Sequence, residues 1–128
     1  MAKVAIIEDE PEIAEMYRLK LQGAGYDVRV AYDGQEGLEL AEKWRPDVIL
    51  LDLMMPVMSG EQMLKELRQT KWGADILVII LTNLTKDVAP NSLGLLDVKY
   101  YIVKAHYSLA QIIEIVGEVL AKHKSKHV

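Results

Sequence analysis

The amino-acid sequence predicts an α/β domain in three layers, with helices covering both faces of a parallel β-sheet. Short runs that are apolar throughout alternate with longer amphipathic segments, which is typical of parallel strands buried on both sides. The 128 residues are 51% hydrophobic and 27% charged, a mixture that suits one globular domain. No repeat and no linker divides the chain into two domains.

Five strand-like runs can be placed in order along the chain. The strands are predicted at residues 3–7, 27–31, 48–51, 76–81 and 98–103. Parallel strands are joined by long crossover connections, which are usually helical and right-handed. The residues that follow each strand-like run are numerous enough to form a helix. The sequence therefore predicts the order strand then helix, five times over.

The first helix is bounded by clear start and stop signals. Pro11 suits a first helical position, with Asp9 or Glu10 as the cap, and Gly25 follows a helix that ends near Ala24. The inward face of this helix is predicted to comprise Ile13, Met16, Tyr17, Leu19 and Leu21.

The remaining helices differ in how well the sequence defines them. Asp33 is expected to cap the second helix, which ends before Pro46, and the third is predicted at residues 61–72. Ser108 is expected to cap the last helix. Residues 83–97 contain Pro90 and Gly94, so any helix there is expected to be short.

Charge and composition exclude several classes of protein. The net charge of −4 argues against direct nucleic-acid binding, and the chain has no cysteine for a disulfide or a thiolate metal site. We expect no membrane span and no secretory signal, and hence a cytoplasmic location. Lys122, Lys124 and Lys126 lie in a basic stretch, so we predict a domain at 1–122 and a basic C-terminal tail at 123–128.

Polar residues stand where the predicted strands end. Glu8 and Asp9 follow the first strand, Asp52 the third, Thr82 the fourth and Lys104 the fifth. In open parallel sheets the functional site lies beyond the carboxyl ends of the strands. Clustered carboxylates without His or Cys suit Mg²⁺, and a nearby lysine and hydroxyl suit an arriving phosphoryl group. The pattern therefore indicates phosphoryl transfer, with Asp52 as a possible nucleophile.

Four motifs in order resemble the receiver domain of two-component response regulators. They are Ile6-Ile7-Glu8-Asp9-Glu10-Pro11, Val48-Ile49-Leu50-Leu51-Asp52-Leu53-Met54-Met55-Pro56 with Gly60, Ile79-Ile80-Leu81-Thr82, and Tyr101-Ile102-Val103-Lys104. The resemblance covers essentially the whole chain. It implies a five-stranded parallel sheet in the order 2-1-3-4-5, the flavodoxin-like order for which a receiver protein is a standard example.

The same resemblance implies a metal site and a phosphoacceptor. Asp52 matches the residue that takes the phosphoryl group, and Asp9 matches the direct Mg²⁺ ligand. Glu8 matches the acid that holds the metal through water, and the backbone carbonyl of Met54 matches a further ligand.

Three further positions match residues that sense the phosphoryl group. Thr82 and Lys104 match the groups that bind its oxygens, and Tyr101 matches the aromatic residue that moves inward on activation. The resemblance implies a histidine kinase or phosphotransfer protein as donor, with a downstream effector or a second copy binding around residues 83–107. It also favours a phosphoacceptor rather than an ordinary enzyme, as a single-domain, chemotaxis-type receiver.

The sequence departs from the family pattern near the predicted site. Asn83 stands where the family usually has a small residue, Ala105 where it has proline and Asp97 where it has glycine. Met54 and Leu84 stand where polar side chains are common in the family. None of these changes removes a group that the proposed chemistry needs.

Other functions fit the residues less well. A flavodoxin-like electron carrier would need a first loop that holds a phosphate, and Glu8, Asp9 and Glu10 would repel one. A phosphatase with an aspartyl nucleophile after the first strand would need a second Asp two residues after Asp9, where this chain has Pro11. A nucleotide-binding protein would need a glycine-rich phosphate loop, which the sequence lacks. The alternative that stays open is a receiver-like module that binds partners without being phosphorylated.

Overall fold

The computed structural model describes residues 1–126, with side chains as far as His123. Its five strands form one sheet in the order β2-β1-β3-β4-β5, and every neighbouring pair is parallel. The strands are β1 Lys3–Ile7, β2 Asp27–Ala31, β3 Val48–Leu51, β4 Leu77–Thr82 and β5 Tyr100–Val103. The fold class and the strand order expected from the sequence are therefore confirmed.

Four α-helices cover the two faces of this sheet. They are α1 Pro11–Gly23, α2 Gly34–Trp44, α3 Gly60–Gln69 and α4 Leu109–Lys126. Alternate residues of β1 point to opposite faces, so that Ile6 packs with α1 and α4 while Ile7 packs with α2 and α3. Two apolar cores result, one on each side of the sheet.

The hydrogen bonds beyond the strand ends hold the first polar residues at one edge. The Glu8 amide donates to the Ala31 carbonyl at 3.0 Å, and the Asp52 amide donates to the Ile7 carbonyl at 3.1 Å. Each bond continues the backbone ladder one residue past the strand. The side chains that follow β1 and β3 are thus fixed side by side by the sheet itself.

The connection between β4 and β5 contradicts the prediction of five strand–helix repeats. In place of an α-helix it has two short 3₁₀ turns, at Lys86–Val88 and Asn91–Leu96. Pro90 has no amide hydrogen to donate, and it disfavours a helical conformation at Ala89. Asp97 ends the second turn with a left-handed backbone, φ 57°. The expectation that any helix here would be short is nearer to what the structure shows.

The predicted inward face of α1 is wrong at two positions. Met16 and Leu19 are 46% and 57% exposed, whereas Ala14, Tyr17 and Leu21 are buried. The three buried residues recur at helical spacing and complete the face that meets the sheet. This stripe leaves Leu19 on the opposite side of the helix, and Met16 also lies outside it.

Several element ends also differ from the sequence prediction. The helix α3 ends at Gln69 instead of residue 72, because the Thr70 hydroxyl donates to the Leu67 carbonyl at 2.7 Å and accepts from the Gly73 amide at 2.8 Å. The strand β5 begins at Tyr100, since the Val98 amide closes the preceding turn on Leu93.

The last helix runs through the predicted tail boundary. The backbone of α4 is helical from Leu109 to Lys126, so residues 123–126 continue the helix. The rest of the predicted tail, residues 127–128, and the side chains of Lys124 and Lys126 lie outside the described part of the chain. None of the helices within residues 1–126 combines the length and the apolar character that a bilayer span requires.

Candidate functional site

Three carboxylates meet at the carboxyl edge of the sheet. Glu8, Asp9 and Asp52 each offer an oxygen, and these oxygens lie within 4.8 Å of one another. Glu8 and Asp52 are buried, at 3% and 7% exposure, while Asp9 is partly exposed. The sheet therefore brings together the acids that the sequence singled out.

Lys104 is the cation that faces these acids. Its ammonium group donates to Asp52 Oδ2 at 3.1 Å and to Glu8 Oε1. Burial raises the pKa of Glu8, and the hydrogen bond from Lys104 opposes this rise only in part. Burial alone would lower the pKa of Lys104, but its bonds and charge interactions with Glu8 and Asp52 raise it instead. The lysine is thus held protonated beside the carboxylate of Asp52.

The other oxygen of Asp52 is held by two donors. The Thr82 hydroxyl donates to Asp52 Oδ1 at 2.7 Å, and the Met54 amide donates to the same atom at 3.1 Å. Thr82 is fully buried at the end of β4. Both oxygens of Asp52 therefore have fixed directions. The Met54 bond also sets the backbone of that residue directly against the carboxylate.

Tyr101 is linked to Thr82 through the backbone of Leu84. The Leu84 amide donates to Thr82 Oγ1 at 3.4 Å, and the Tyr101 hydroxyl donates to the Leu84 carbonyl at 2.6 Å. Tyr101 is half-buried, and burial together with the charges of Asp52 and Asp87 raises its pKa. A continuous chain of contacts thus leads from Asp52 to the outer side of β5.

Sequence reasoning did not foresee that Leu84 carries this link. Its contribution comes from its amide and carbonyl, which every residue type except proline offers. The only available signal was position, since Leu84 lies two residues beyond the strand-ending Thr82.

The loop between β3 and α3 contains a strained residue. Val57 has φ 66°, in the left-handed region, and is 85% exposed. A β-branched side chain in this conformation is a true outlier, and such strain costs roughly 1–3 kcal/mol. No apolar burial offsets the strain, because the side chain lies in solvent.

Replacing Val57 by a residue that tolerates this backbone should stabilise the protein. We expect Val57→Asn to raise the free energy of unfolding by about 1 kcal/mol, because Asn adopts left-handed φ values readily. Urea denaturation measures the change. The control is Val88→Asn, an exposed valine in a 3₁₀ turn that has no positive φ, and it should gain nothing. A loss of stability in Val57→Asn would contradict the assignment of strain.

The donor set of the three carboxylates fits Mg²⁺. All the side-chain ligands are oxygens, and the burial of Glu8 and Asp52 makes their repulsion costly. Asp9 is the least buried of the three and is well placed to reach an ion from the solvent side. The structure thus brings together Glu8, Asp9 and Asp52, and Met54 lies next to them.

Millimolar Mg²⁺ should raise the melting temperature, because a bound cation relieves the repulsion among the acids. The raised pKa of Glu8 gives the pH dependence. Folding favours its protonated form, so the penalty for its ionisation grows as the pH rises through the usual glutamate range. The Mg²⁺ effect should therefore be large at neutral pH and shrink in acid.

The Asp9→Ala variant tests the metal site directly, with thermal melts at several pH values. This change should abolish the Mg²⁺ effect, whereas Asp33→Ala, which removes a helix cap on another loop, should keep it. A full Mg²⁺ effect in Asp9→Ala would contradict the ligand role of that carboxylate.

Comparison with known proteins gives a consistent match. The family model for the response regulator receiver domain matches residues 4–117. The response regulator ArlR of Staphylococcus saprophyticus is 32% identical over all 128 residues, which make up 56% of its length. The DNA-binding regulator RpaA of Synechocystis is 43% identical over 84 residues, covering 66% of this chain and 35% of that protein. The chain spans only about half the length of these relatives, or less.

Solved structures of similar size superpose on nearly the whole fold. The chemotaxis response regulator CheY4 of Vibrio cholerae matches with a TM-score of 0.84 and 32% identity, covering 93% of this chain and 98% of that one. The response regulator TrrA of Thermotoga maritima, solved in complex with Mg²⁺ and BeF, matches with a TM-score of 0.80 and 29% identity. That match covers 92% of this chain and 98% of TrrA.

Proposed function

The chain belongs to the response regulator receiver-domain family, and from this we propose that Asp52 accepts a phosphoryl group from a histidine kinase or a phosphotransfer protein. One observation carries the proposal. Asp52 is a buried carboxylate whose two oxygens are held by Thr82 and Lys104, with Glu8 and Asp9 beside it. A carboxylate held only for stability has no need of two further acids at the same edge of the sheet.

In the proposed reaction a carboxylate oxygen of Asp52 attacks the phosphorus atom of a phosphohistidine. A new P–O bond forms as the P–N bond breaks, and the departing imidazole leaves with the electron pair of that bond. Bound Mg²⁺, held by Glu8, Asp9, Asp52 and the Met54 carbonyl, would neutralise charge on the phosphoryl oxygens. Lys104 and Thr82 supply a cation and a hydrogen-bond donor to the same oxygens.

The phosphoryl group is proposed to switch the surface around residues 83–107. It would offer the Thr82 hydroxyl a new acceptor in place of Asp52 Oδ1. Since Thr82 and Tyr101 both bond to the backbone of Leu84, a movement of Thr82 would reach Tyr101 through that residue. A downstream effector or a second copy of the chain would bind the surface altered in this way.

The output of this receiver is also a matter of proposal. A chemotaxis-type role is supported by the likeness to the chemotaxis response regulator CheY4. Three of the matched curated relatives, RpaA among them, are longer proteins named as transcriptional regulators, so a receiver that controls an attached DNA-binding domain is the competing proposal. We place the reaction in the cytoplasm, where ATP supplies the kinase. A receiver-like module that is never phosphorylated is the alternative function.

Incubation with acetyl phosphate and Mg²⁺ tests the proposal against this alternative. Intact mass should show the addition of one phosphoryl group to the wild type, which chelation of Mg²⁺ prevents. Asp52→Asn should gain none, while the control Asp47→Asn, at the opposite edge of the sheet, should behave as the wild type. A chain that never gains the group would favour the unphosphorylated module.

A further inference from the structure

Arg68, near the end of α3, makes an unusual set of contacts. Its guanidinium group is half-buried and donates only to backbone carbonyls. The acceptors are Ile76 at 2.7 Å, Leu96 at 2.8 Å, Gly73 at 2.9 Å, Ala74 at 3.4 Å and Asp97 at 3.5 Å. One side chain thus contacts two separate segments of the chain.

These two segments have different roles in the fold. Residues 73–76 lie in the loop that leads into β4, while residues 96–97 end the second 3₁₀ turn of the connection from β4 to β5. Burial lowers the pKa of Arg68, with the charges of Asp97 and Asp75 acting against this effect, and an arginine still remains charged at neutral pH. Arg68 therefore holds residues 96–97 close to the loop that precedes β4.

Two further contacts attach the same part of the connection to α3. The Ser92 hydroxyl donates to a carboxylate oxygen of Glu61, in the first turn of that helix. The Leu93 side chain is buried in the core that α2 and α3 share. Together with Arg68, these contacts hold residues 91–97 at the start, the middle and the end.

The first half of the connection is held quite differently. Asn83 and residues 85–88 are exposed, whereas Leu84 and Ala89 are partly buried. The side-chain hydrogen bonds that the structure gives to this half both involve Leu84, and their partners are Thr82 and Tyr101. The side-chain hydrogen bonds of residues 83–90 thus involve the two groups that are expected to move, while Leu84 and Ala89 also pack against the core that α2 and α3 share.

We propose that Arg68 divides the connection between β4 and β5 into a fixed half, residues 91–97, and a moving half, residues 83–90. This inference rests on the proposed function, and it limits the expected conformational change to residues 83–90 and the exposed side of β5. Phosphorylation then changes the conformation of residues 83–90 and of the exposed side of β5. A partner that distinguishes the two states binds that surface. Residues 91–97 stay attached to α3 in both states, because none of their three contacts involves Asp52 or Thr82.

Hydrogen exchange of the full chain, in Mg²⁺ with and without beryllofluoride as the phosphoryl mimic, tests this division. In the wild type the exchange rates of residues 83–90 should change, whereas those of 91–97 should not. In Arg68→Gln residues 91–97 should exchange at least about tenfold faster and should now respond to beryllofluoride. The control Arg18→Gln removes a partly exposed arginine whose side chain bonds to Glu15 and Gln22 within α1, and it should match the wild type.

The outcomes separate this inference from the proposed function. If residues 91–97 respond with 83–90 in the wild type, the division is wrong although phosphorylation stands. If beryllofluoride changes exchange nowhere, the proposed function itself fails. Should Arg68→Gln not fold, Ser92→Ala removes a second contact and must also make residues 91–92 respond. An unaltered pattern in Ser92→Ala would then overturn the fixed half.

Discussion

Replacing Lys104 by methionine should slow phosphorylation but strengthen Mg²⁺ binding. We expect Lys104→Met to slow phosphorylation by acetyl phosphate about 100-fold, because it removes a charged donor aimed at the phosphoryl oxygens. The same change should strengthen Mg²⁺ binding about tenfold, since the ammonium group no longer competes for Glu8 and Asp52. A variant that had merely unfolded would lose both properties.

The rate of mass gain in saturating Mg²⁺ measures the first effect, and calorimetric titration with Mg²⁺ measures the second. Lys99→Met is the matched control, because Lys99 is an exposed lysine close in sequence that pairs only with Asp97, at 3.9 Å. It should change neither quantity. A wild-type rate in Lys104→Met would show that this lysine does not touch the phosphoryl group.

The second large effect is expected at Gly60, where α3 begins beneath the site. A Cβ atom built on Gly60 would lie 2.1 Å from the Asp52 carbonyl oxygen and 2.8 Å from Leu53 Cα. Both neighbours are backbone atoms of Asp52 and Leu53, so neither can move without displacing the site. Gly60→Ala should therefore lower the free energy of unfolding by about 3 kcal/mol.

Urea denaturation measures this loss, and Gly94→Ala provides the control. Gly94 is exposed, and nothing lies within 4 Å of a Cβ built there. Its replacement should change stability by no more than about 0.5 kcal/mol. Equal stability in the two alanine variants would contradict the close approach of α3 to the Asp52 backbone.

Much of the site could be predicted because it depends on residue type and strand ends. Three strands, β1, β2 and β3, begin and end where their apolar runs do, and a parallel sheet brings its carboxyl ends to one edge. Glu8, Asp52 and Lys104 were therefore predicted to lie at the same edge of the sheet once the strands were assigned. The order of the strands came from the family resemblance, since periodicity alone does not set it.

The parts that escaped prediction depend on backbone groups and on distant packing. Arg68 lies one residue before the end of α3, and only the folded chain brings five backbone carbonyls to it. Leu84 acts through its peptide groups, so its side chain gave no indication of its position in the link. Leu19 is apolar yet exposed, because the sheet covers only one stripe of α1.

The most direct test of the account is to locate the bond that phosphorylation forms. Borohydride reduces an acyl phosphate of aspartate to homoserine, so peptide sequencing by mass spectrometry identifies the modified residue. After treatment with acetyl phosphate and Mg²⁺, we predict homoserine at position 52 and at no other acid, and none when Mg²⁺ is chelated. Reduction at Asp9 or Glu8 in place of Asp52, or at no residue, would contradict the central claim that Asp52 is the phosphoacceptor.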